Sequence, residues 1–272
     1  MRIMFFGDVM GRPGRDAIAA RLPGLRDQLK ADFVVVNGEN ATSGFGLSPD
    51  HAKLILEAGA DCITLGDHAF DQREMQGFIA SEPRILRPLN FAKTAPGKGA
   101  GLFETSRGKR VFVTQILGQV FMKRAYDDPF GIIDTTLKTH PLKGVADAVI
   151  VDVHAEATSE KMAMGHFLDG RASLVVGSHT HVPTADAQIL PAGTAYQTDL
   201  GMTGPYRSVI GMDPEEPLGR FTTGMRKARF TPAASEATLS GVFVETDDTT
   251  GLARRVAPIR LGGSLAEALP VA

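Results

Sequence analysis

Residues 33–68 read FVVVNGENATSGFGLSPDHAKLILEAGADCITLGDH, and this stretch predicts the fold class. It begins with an apolar strand, Phe33–Val36, and passes through a polar loop to a helix that Ser48 caps and Pro49 starts. A second apolar strand, Cys62–Leu65, follows the helix and ends at another polar turn. Two strands joined through a helix are typical of a parallel sheet whose connections cover its faces.

The same succession of apolar strand, polar loop and helix appears on both sides of this stretch. Before it, Arg2–Phe6 is strand-like, and a helical pattern over residues 13–30 contains Pro23, which is expected to break or kink the helix. After it, Ala148–Val153 and Leu174–Val176 read as two more strands with a helical pattern between them. The repetition predicts an α/β protein.

Other segments predict antiparallel pairing. Gly101–Glu104 and Arg110–Gln115 read as a hairpin, and apolar and polar residues alternate over Gly241–Glu245 and Leu252–Arg260. We therefore expect a parallel half followed by a later antiparallel half that adds a second sheet. No linker or repeat divides the sequence, so residues 1–272 are predicted to form one domain.

Composition and charge narrow the class of protein. Of the 272 residues, 43% are hydrophobic and 22% are charged, which is ordinary for a globular protein with a real core. The net charge of −2 gives no electrostatic footprint for a stable nucleic-acid partner. A small anionic substrate remains compatible, because metal ions can supply positive charge locally.

Cysteine usage and hydropathy bear on the location of the protein. The chain has one cysteine, Cys62, which cannot form an internal disulfide and is expected to be a buried thiol. The N-terminal apolar stretch is about four residues long, far shorter than a signal peptide or a membrane span. We therefore expect a cytoplasmic protein with no membrane partner.

Side chains that can bind metals follow the predicted strands, where ligands collect in parallel sheets. They are carboxylates, one amide and imidazoles, with no thiolate: Asp8, Glu39, Asn40, Asp67, His154, His179 and His181. Such ligands suit iron, manganese or zinc. They are too many for one tetrahedral zinc but suit two metals that share a carboxylate. Three carboxylates, two divalent metals and one hydroxide would leave no net charge, and this is an arrangement that hydrolyses phosphate esters.

Taken singly, each of these residues also has a plain structural explanation. Asp8 could cap a turn or a helix, His154 could be a hydrogen-bonded core histidine, and His179 and His181 could be surface loop residues. Glu39 is harder to explain in this way, because a glycine-asparagine loop needs no carboxylate. The shared position of all seven at strand ends favours metal binding.

The order of these motifs resembles the calcineurin-like metallophosphoesterases. It is most similar to their bacterial subfamily of 2′,3′-cyclic-nucleotide phosphodiesterases. The matching motifs are Gly7-Asp8, Asn37-Gly38-Glu39-Asn40, Gly66-Asp67-His68, His154 and Gly177-Ser178-His179-Thr180-His181. Two longer runs also match, VHAEATSEK at 153–161 and TDLGMTGPY at 198–206. The resemblance covers most of the chain.

The resemblance implies a fold, a site and a reaction. The fold would be a four-layer α/β/β/α sandwich. Asp8, Asn40 and His181 would bind one metal, Asp67, His154 and His179 the other, and Glu39 would bridge them. A metal-activated hydroxide would attack 2′,3′-cyclic nucleotides and simple phosphodiesters, and His68 would protonate the leaving oxygen. The two metals are expected to be iron, with manganese or zinc as alternatives.

Two positions depart from the wider superfamily. Met10 stands where a histidine ligand is usual, so Asn40 would have to complete the coordination. Asp67 stands where asparagine is usual. Its extra negative charge should bind the metal more tightly and weaken the attraction of that metal for the substrate.

Other functions remain open on the same scaffold. One is a phosphomonoesterase or nucleotidase, and another is a metal-containing regulatory protein that senses nucleotides. His68 disfavours the second, since a pure binder needs no acid for a leaving group. The expected partner is a small phosphodiester, and a homo-oligomer is possible.

Overall fold

The computed structural model describes residues 1–122, 124 and 126–270. The strands are β1 (Arg2–Phe6), β2 (Phe33–Asn37), β3 (Cys62–Thr64), β4 (Ile85–Leu86), β5 (Ala100–Glu104), β6 (Arg110–Leu117), β7 (Ala148–His154), β8 (Leu174–Ser178), β9 (Gln188–Ile189), β10 (Ala195–Gln197), β11 (Gly204–Pro205), β12 (Ala237–Thr246) and β13 (Ala253–Leu261). The helices are α1 (Gly11–Leu29), α2 (Pro49–Glu57), α3 (Met75–Phe78), α4 (Pro129–Thr139), α5 (Thr158–Phe167) and α6 (Glu215–Thr223). A short 3₁₀ helix spans Gly66–His68. The protein is thus a mixed α/β structure, as predicted.

The first sheet combines the predicted parallel strands with the end of the chain. Its order is β11-β12-β1-β2-β3-β4, and β13 pairs with β12. Strands β1 to β4 are parallel, whereas β12 runs antiparallel to β1 with Ile3 opposite Val244 and Phe5 opposite Val242. The expectation that the tail adds a second sheet is therefore wrong. The tail pairs with β1 because that strand has a free edge and the facing side chains of both strands are apolar.

The second sheet comes from the middle of the chain, and its order is β5-β6-β7-β8-β10-β9. Strands β6, β7, β8 and β10 are parallel, and antiparallel β5 and β9 lie at the two edges. The predicted pairing of the segments around residues 101–104 and 110–115 is confirmed by β5 and β6. This sheet is mainly parallel rather than antiparallel.

Both faces of the first sheet are buried, and they belong to different clusters. Met4 and Phe6 pack in a cluster with apolar residues of α1 and α2, such as Ile18 and Ile55. Ile3 and Phe5, which alternate with them along β1, pack in a cluster with Val111 and Val113 of β6 and with residues of β7 and β8. The second cluster therefore joins the two sheets.

The other face of the second sheet carries a third cluster. Val149 and Val151 of β7 pack with Ile133 of α4 and Met164 of α5. Strands with both faces buried read as nearly continuous apolar runs, which is why β2 and β8 are apolar throughout most of their length.

Helix α1 is the longest described helix, with 19 residues, and it continues through Pro23. The expected break is therefore wrong. Leu22 and Leu25 on either side of the proline are both buried in the cluster beneath α1. Their burial, at about 1.5–3 kcal/mol per side chain, offsets the hydrogen bond that proline cannot donate. Neither α1 nor another helix within the described ranges is long and apolar enough to cross a membrane.

Candidate metal centre

The predicted ligands lie at the carboxyl ends of parallel strands from both sheets. Asp8 and Glu39 follow β1 and β2 by two residues each, and Asp67 lies in the 3₁₀ helix after β3. His154 is the last residue of β7, and His179 directly follows β8. Because the sheets face each other through a common cluster, these strand ends meet at one edge of the protein.

Four of the predicted ligands form a compact cluster. Glu39, Asp67, His154 and His179 each offer one ligand atom, and these atoms lie within 4.8 Å of one another. His154 Nε2 lies 2.9 Å from Glu39 Oε2, 3.2 Å from Asp67 Oδ1 and 3.0 Å from His179 Nδ1. The structure thus brings together the three residues expected at one metal and the expected bridge.

The tautomer of His154 follows from its contacts on the other side of the ring. Ser178 Oγ donates a hydrogen bond to Asp152 Oδ1 at 2.6 Å, so it can only accept from His154 Nδ1, 2.8 Å away. With a proton on Nδ1, the other ring nitrogen, Nε2, faces the carboxylates of Glu39 and Asp67. Burial alone would lower the pKa of His154, but these carboxylates outweigh it and raise that pKa well above its usual value. A cation bound between the three groups would take the place of the second ring proton.

A second pair shows the same arrangement. His181 Nδ1 lies 2.8 Å from the carbonyl oxygen of Ile210, which can only accept, so Nδ1 carries the proton. His181 Nε2 lies 3.1 Å from Asn40 Oδ1, and the amide nitrogen of Asn40 already donates to the carbonyl of Gly44. His181 Nε2 and Asn40 Oδ1 thus point at each other, as expected for two ligands of one metal.

Within the described part of the chain, Asp8 Oδ1 has no hydrogen-bond partner, and Glu39 Oε2 has none other than His154 Nε2, 2.9 Å away. Asp8 Oδ2, in contrast, accepts a hydrogen bond from the backbone N–H of His179 at 3.2 Å. A buried acceptor without a partner costs about 1–3 kcal/mol, so such atoms are rare without a ligand. Both belong to predicted metal ligands, and the residues present therefore fit a metal.

Burial and neighbouring side chains shift the pKa values of the ionisable groups in the cluster. Burial raises the pKa of Glu39 well above its usual value. Burial also raises the pKa of Asp8, but the imidazoles of His181 and His154 outweigh it and leave that pKa below its usual value. Burial together with the neighbouring His154 lowers the pKa of His179 to about 3. Carboxylates and a neutral imidazole packed this closely are the environment in which a multivalent cation is most favourable.

His68 lies beside this cluster without joining it. Its backbone N–H donates to Glu39 Oε1 at 3.1 Å, and its Nδ1 lies 2.7 Å from Asp71 Oδ2. The carboxylate of Asp71 accepts the Nδ1 proton, which leaves Nε2 as the nitrogen available to a substrate. The ring of Phe45 packs edge-on against His68, with centroids 5.4 Å apart, so the ring orientation is fixed from two sides.

A cavity of about 570 Å³ opens over the cluster. Glu39, Asp67, His179 and His181 line one part of it together with His68. Its other lining residues are mostly apolar and come from the segments around residues 121–122 and 209–230. This volume and this mixture of a few polar groups with apolar walls are typical of small-molecule sites.

A buried ion pair holds the turn that carries two of the predicted ligands, and sequence analysis assigned it no role. Lys161 Nζ donates to Asp199 Oδ2 at 2.6 Å, and both side chains are almost wholly buried. The same carboxylate oxygen accepts from the N–H and the hydroxyl of Thr180, at 3.2 and 2.7 Å. His179 and His181 both have positive φ, 95° and 66°, so this turn is strained and needs such support.

Asp152 was also missed. It is a buried carboxylate in the middle of β7, and it accepts hydrogen bonds from Thr64, Gln115 and Ser178. The signal was a charged residue inside the apolar run AVIVDVH, where an ionised side chain needs a full set of donors. Likewise, Lys161 and Asp199 both lie within the two long matching runs.

Comparison with known proteins places the chain among relatives of the same length and fold. A family model described as YmdB-like protein matches residues 4–259. A 2′,3′-cyclic-nucleotide 2′-phosphodiesterase of Bacillus subtilis (strain 168) is 45% identical over 262 residues, which cover 94% of this chain and 95% of that protein.

Two solved structures are similar over nearly the whole chain. The crystal structure of a hypothetical protein from Thermus thermophilus has a TM-score of 0.88 and 44% identity, and the match covers 96% of this chain and 99% of that one. That of a novel phosphatase from Mycoplasma pneumoniae has a TM-score of 0.89 and 37% identity, with 96% and 93% covered. The chain belongs to the YmdB-like protein family, and the resemblance to the metallophosphoesterases inferred from its motifs is confirmed.

Proposed function

We propose that the protein is a dinuclear-metal phosphodiesterase that hydrolyses 2′,3′-cyclic nucleotides and simple phosphodiesters. The observation that carries the proposal is the set of carboxylate oxygens and imidazole nitrogens that converge beneath a cavity lined by His68. The broader prediction, a hydrolase acting on phosphoric diesters, is confirmed by the family, whose named relatives are a phosphodiesterase and a phosphatase.

The ligand sets supported by the geometry are those that the motifs imply. They are Asp67, His154 and His179 for one metal, Asp8, Asn40 and His181 for the other, and Glu39 between them. Iron is the first expectation, and manganese and zinc suit the same ligands. Bound there, the metals would supply positive charge for the phosphate oxygens and a hydroxide at neutral pH for in-line attack.

The chain itself supplies the proton for the leaving group. The leaving ribose oxygen of a cyclic nucleotide is an alkoxide, which departs slowly unless it is protonated. His68 presents Nε2 to the cavity while Asp71 holds Nδ1, so the ring is oriented to deliver a proton there.

His68→Asn should lower turnover of 2′,3′-cyclic AMP by about a hundredfold to ten-thousandfold, because the alkoxide then leaves without a positioned acid. Turnover of bis(p-nitrophenyl) phosphate should fall far less, since a nitrophenolate needs no proton. Metal content, measured on the same samples, should stay at the wild-type level. His166→Asn, an exposed histidine on α5 outside the cavity lining, is the matched control. An equal loss on both substrates would contradict the role of His68.

Glu156 should favour diesters over monoesters. Its carboxylate lies 3.3 Å from His179 Nε2, is half-exposed and lines the cavity. A fixed negative charge there opposes a dianionic monoester more than a monoanionic diester. Glu156→Gln should therefore raise the kcat/KM ratio of p-nitrophenyl phosphate to bis(p-nitrophenyl) phosphate by about threefold to tenfold, an effect reduced by salt. Glu104→Gln makes the same charge change on β5, away from the cavity, and should leave the ratio unchanged.

The finer features of the predicted fold remain proposals. A four-layer α/β/β/α order is supported by the three clusters, in which helices cover one face of each sheet and the sheets pack on each other. One domain over residues 1–272, a cytoplasmic location and a small phosphodiester as partner stay predictions. The absence of a stable nucleic-acid or membrane partner and the possible homo-oligomer stay predictions as well.

Hydrolysis of 2′,3′-cyclic AMP by the purified protein, with metals quantified on the same sample, tests the proposed function. Turnover with about two metals per chain is the expected result. Two bound metals without turnover of any diester would instead favour a different substrate or a sensor. No bound metal after reconstitution with manganese or iron would overturn the proposal.

A further inference from the structure

We propose that the apolar wall of the cavity is the binding subsite for the nucleobase of the substrate, an inference that rests on the proposed function. The apolar wall consists of Val209, Ile210, Met212, Pro217, Phe221 and Phe230. It lies in the same cavity as the candidate metal ligands. A cyclic nucleotide with its phosphate on the ligand cluster has one further large group, the base, that needs an apolar and flat surface.

The apolar wall is attached to the candidate metal centre by a strained residue. Ile210 has φ 47°, a conformation that β-branched residues rarely adopt. Its carbonyl oxygen accepts the Nδ1 proton of His181 at 2.8 Å. The conformation of the wall and the orientation of a predicted ligand are therefore fixed by one contact, and such strain is characteristic of ligand sites.

The far end of the apolar wall is also held in place. The guanidinium of Arg220 lies 3.8 Å from the ring centroid of Phe230, and its Nε donates to Glu216 at 2.7 Å. The carboxylate of Glu216 in turn accepts the backbone N–H groups of Lys227 and Ala228. One face of the Phe230 ring is thus covered, and helix α6 is tied to the segment that follows it.

Phe221 of α6 is the part of the wall that has no such partner. It is 87% exposed, and it has no aromatic or cationic partner among the residues that the structure describes. Exposed apolar side chains grouped in one cavity, as Phe221 and Ile210 are, are typical of a binding surface. Phe121, 84% exposed and with φ 63°, lines the same cavity from a separate segment. A planar base can stack on such rings, and stacking is favourable for every base.

The base contribution can be isolated with two substrates that share the reacting bond. One is 2′,3′-cyclic AMP, and the other is methyl ribofuranoside 2,3-cyclic phosphate, which has no base. In the wild-type holoenzyme the KM of the nucleotide should be about tenfold lower or more. In Phe221→Ala that advantage should largely disappear through a higher KM for the nucleotide, with kcat and the KM of the baseless substrate unchanged. Phe221→Tyr keeps a ring and should retain the advantage.

Leu218→Ala is the matched control, since Leu218 lies on the same helix, is exposed and does not line the cavity. It should leave both KM values unchanged. Equal wild-type KM values for the two substrates would overturn the proposal. So would a change of oligomeric state in Phe221→Ala, measured by sedimentation, with the KM ratio unaltered, because the wall would then be an interface between copies of the chain.

Binding of adenosine to the holoenzyme, followed by calorimetry, separates this inference from the proposed function. Adenosine carries the base but no phosphate and cannot react. If neither cyclic phosphate is hydrolysed, yet adenosine binds and Phe221→Ala weakens that binding about tenfold, the proposed reaction fails while the base subsite stands. If both are hydrolysed but adenosine affinity is the same in both proteins, the base subsite fails while the reaction stands.

Discussion

Glu39→Gln is expected to remove bound metal and to lower hydrolysis of 2′,3′-cyclic AMP by about a thousandfold or more, because the variant loses the carboxylate proposed to bridge both metals. The substitution is nearly isosteric, so packing is preserved. In the protein stripped of metal, it should even raise the free energy of unfolding by about 1 kcal/mol. Burial raises the pKa of Glu39, so its buried charge is unfavourable when no metal is bound, whereas the amide N–H of glutamine could donate to His154 Nε2.

Thermal unfolding with and without manganese separates the loss of metal binding in Glu39→Gln from its effect on the stability of the metal-free protein. Metal that binds only the folded state should raise the Tm of the wild type and leave the Tm of Glu39→Gln almost unchanged. In chelator the order of stability should reverse. A variant that kept two metals and full turnover would show that Glu39 is a structural carboxylate and not a ligand. Metal content and Tm are both independent of any choice of substrate.

Lys161→Met should destabilise the fold by about 3–5 kcal/mol, because it leaves the buried charge of Asp199 without its cation. Methionine fills most of the volume of the lysine stem, so the loss measures the charge and not a cavity. The turn that carries His179 and His181 should also loosen, since Thr180 is held by the same carboxylate. Urea unfolding and metal content check the two effects separately.

Two further variants make the result specific. Adding Asp199→Asn to Lys161→Met removes the unpaired charge and should recover much of the lost stability. It should not restore the hydrogen bonds that the carboxylate of Asp199 accepts from Thr180. Lys138→Met breaks the exposed pair with Asp134 on α4 and should leave stability nearly unchanged. A double variant no more stable than Lys161→Met would mean that packing of the lysine stem, and not its charge, supports the turn.

Sequence reasoning worked where the governing interactions are local. The apolar runs of β2 and β3 and the Ser48-Pro49 start of α2 are each set by a few neighbouring residues. Ser48 Oγ accepts the N–H of His51, as its position before Pro49 predicts. Placing ligand-type residues after strands then anticipated the cluster of Glu39, Asp67, His154 and His179.

Prediction from the sequence was wrong where the fold depends on contacts between segments far apart in the chain. The pairing of β12 with β1 joins residues more than two hundred positions apart, and no local pattern specifies that neighbour. Pro23 was expected on local grounds to break or kink a helix, but the helix does not break there, and the leucines on either side of it are buried in the core.

Most of the strands and helices, the family and the chemical types gathered at the strand ends could be read from the order of residues, because periodicity and motif order are local properties of the chain. How the strands divide between two sheets was set by tertiary packing. The same packing sets which nitrogens of His154 and His181 face the other candidate ligands, and it buries the Lys161–Asp199 pair that supports the strained turn. These features arise from hydrogen bonds and charge contacts between distant residues, and their energies depend on burial that exists only once both sheets have packed together.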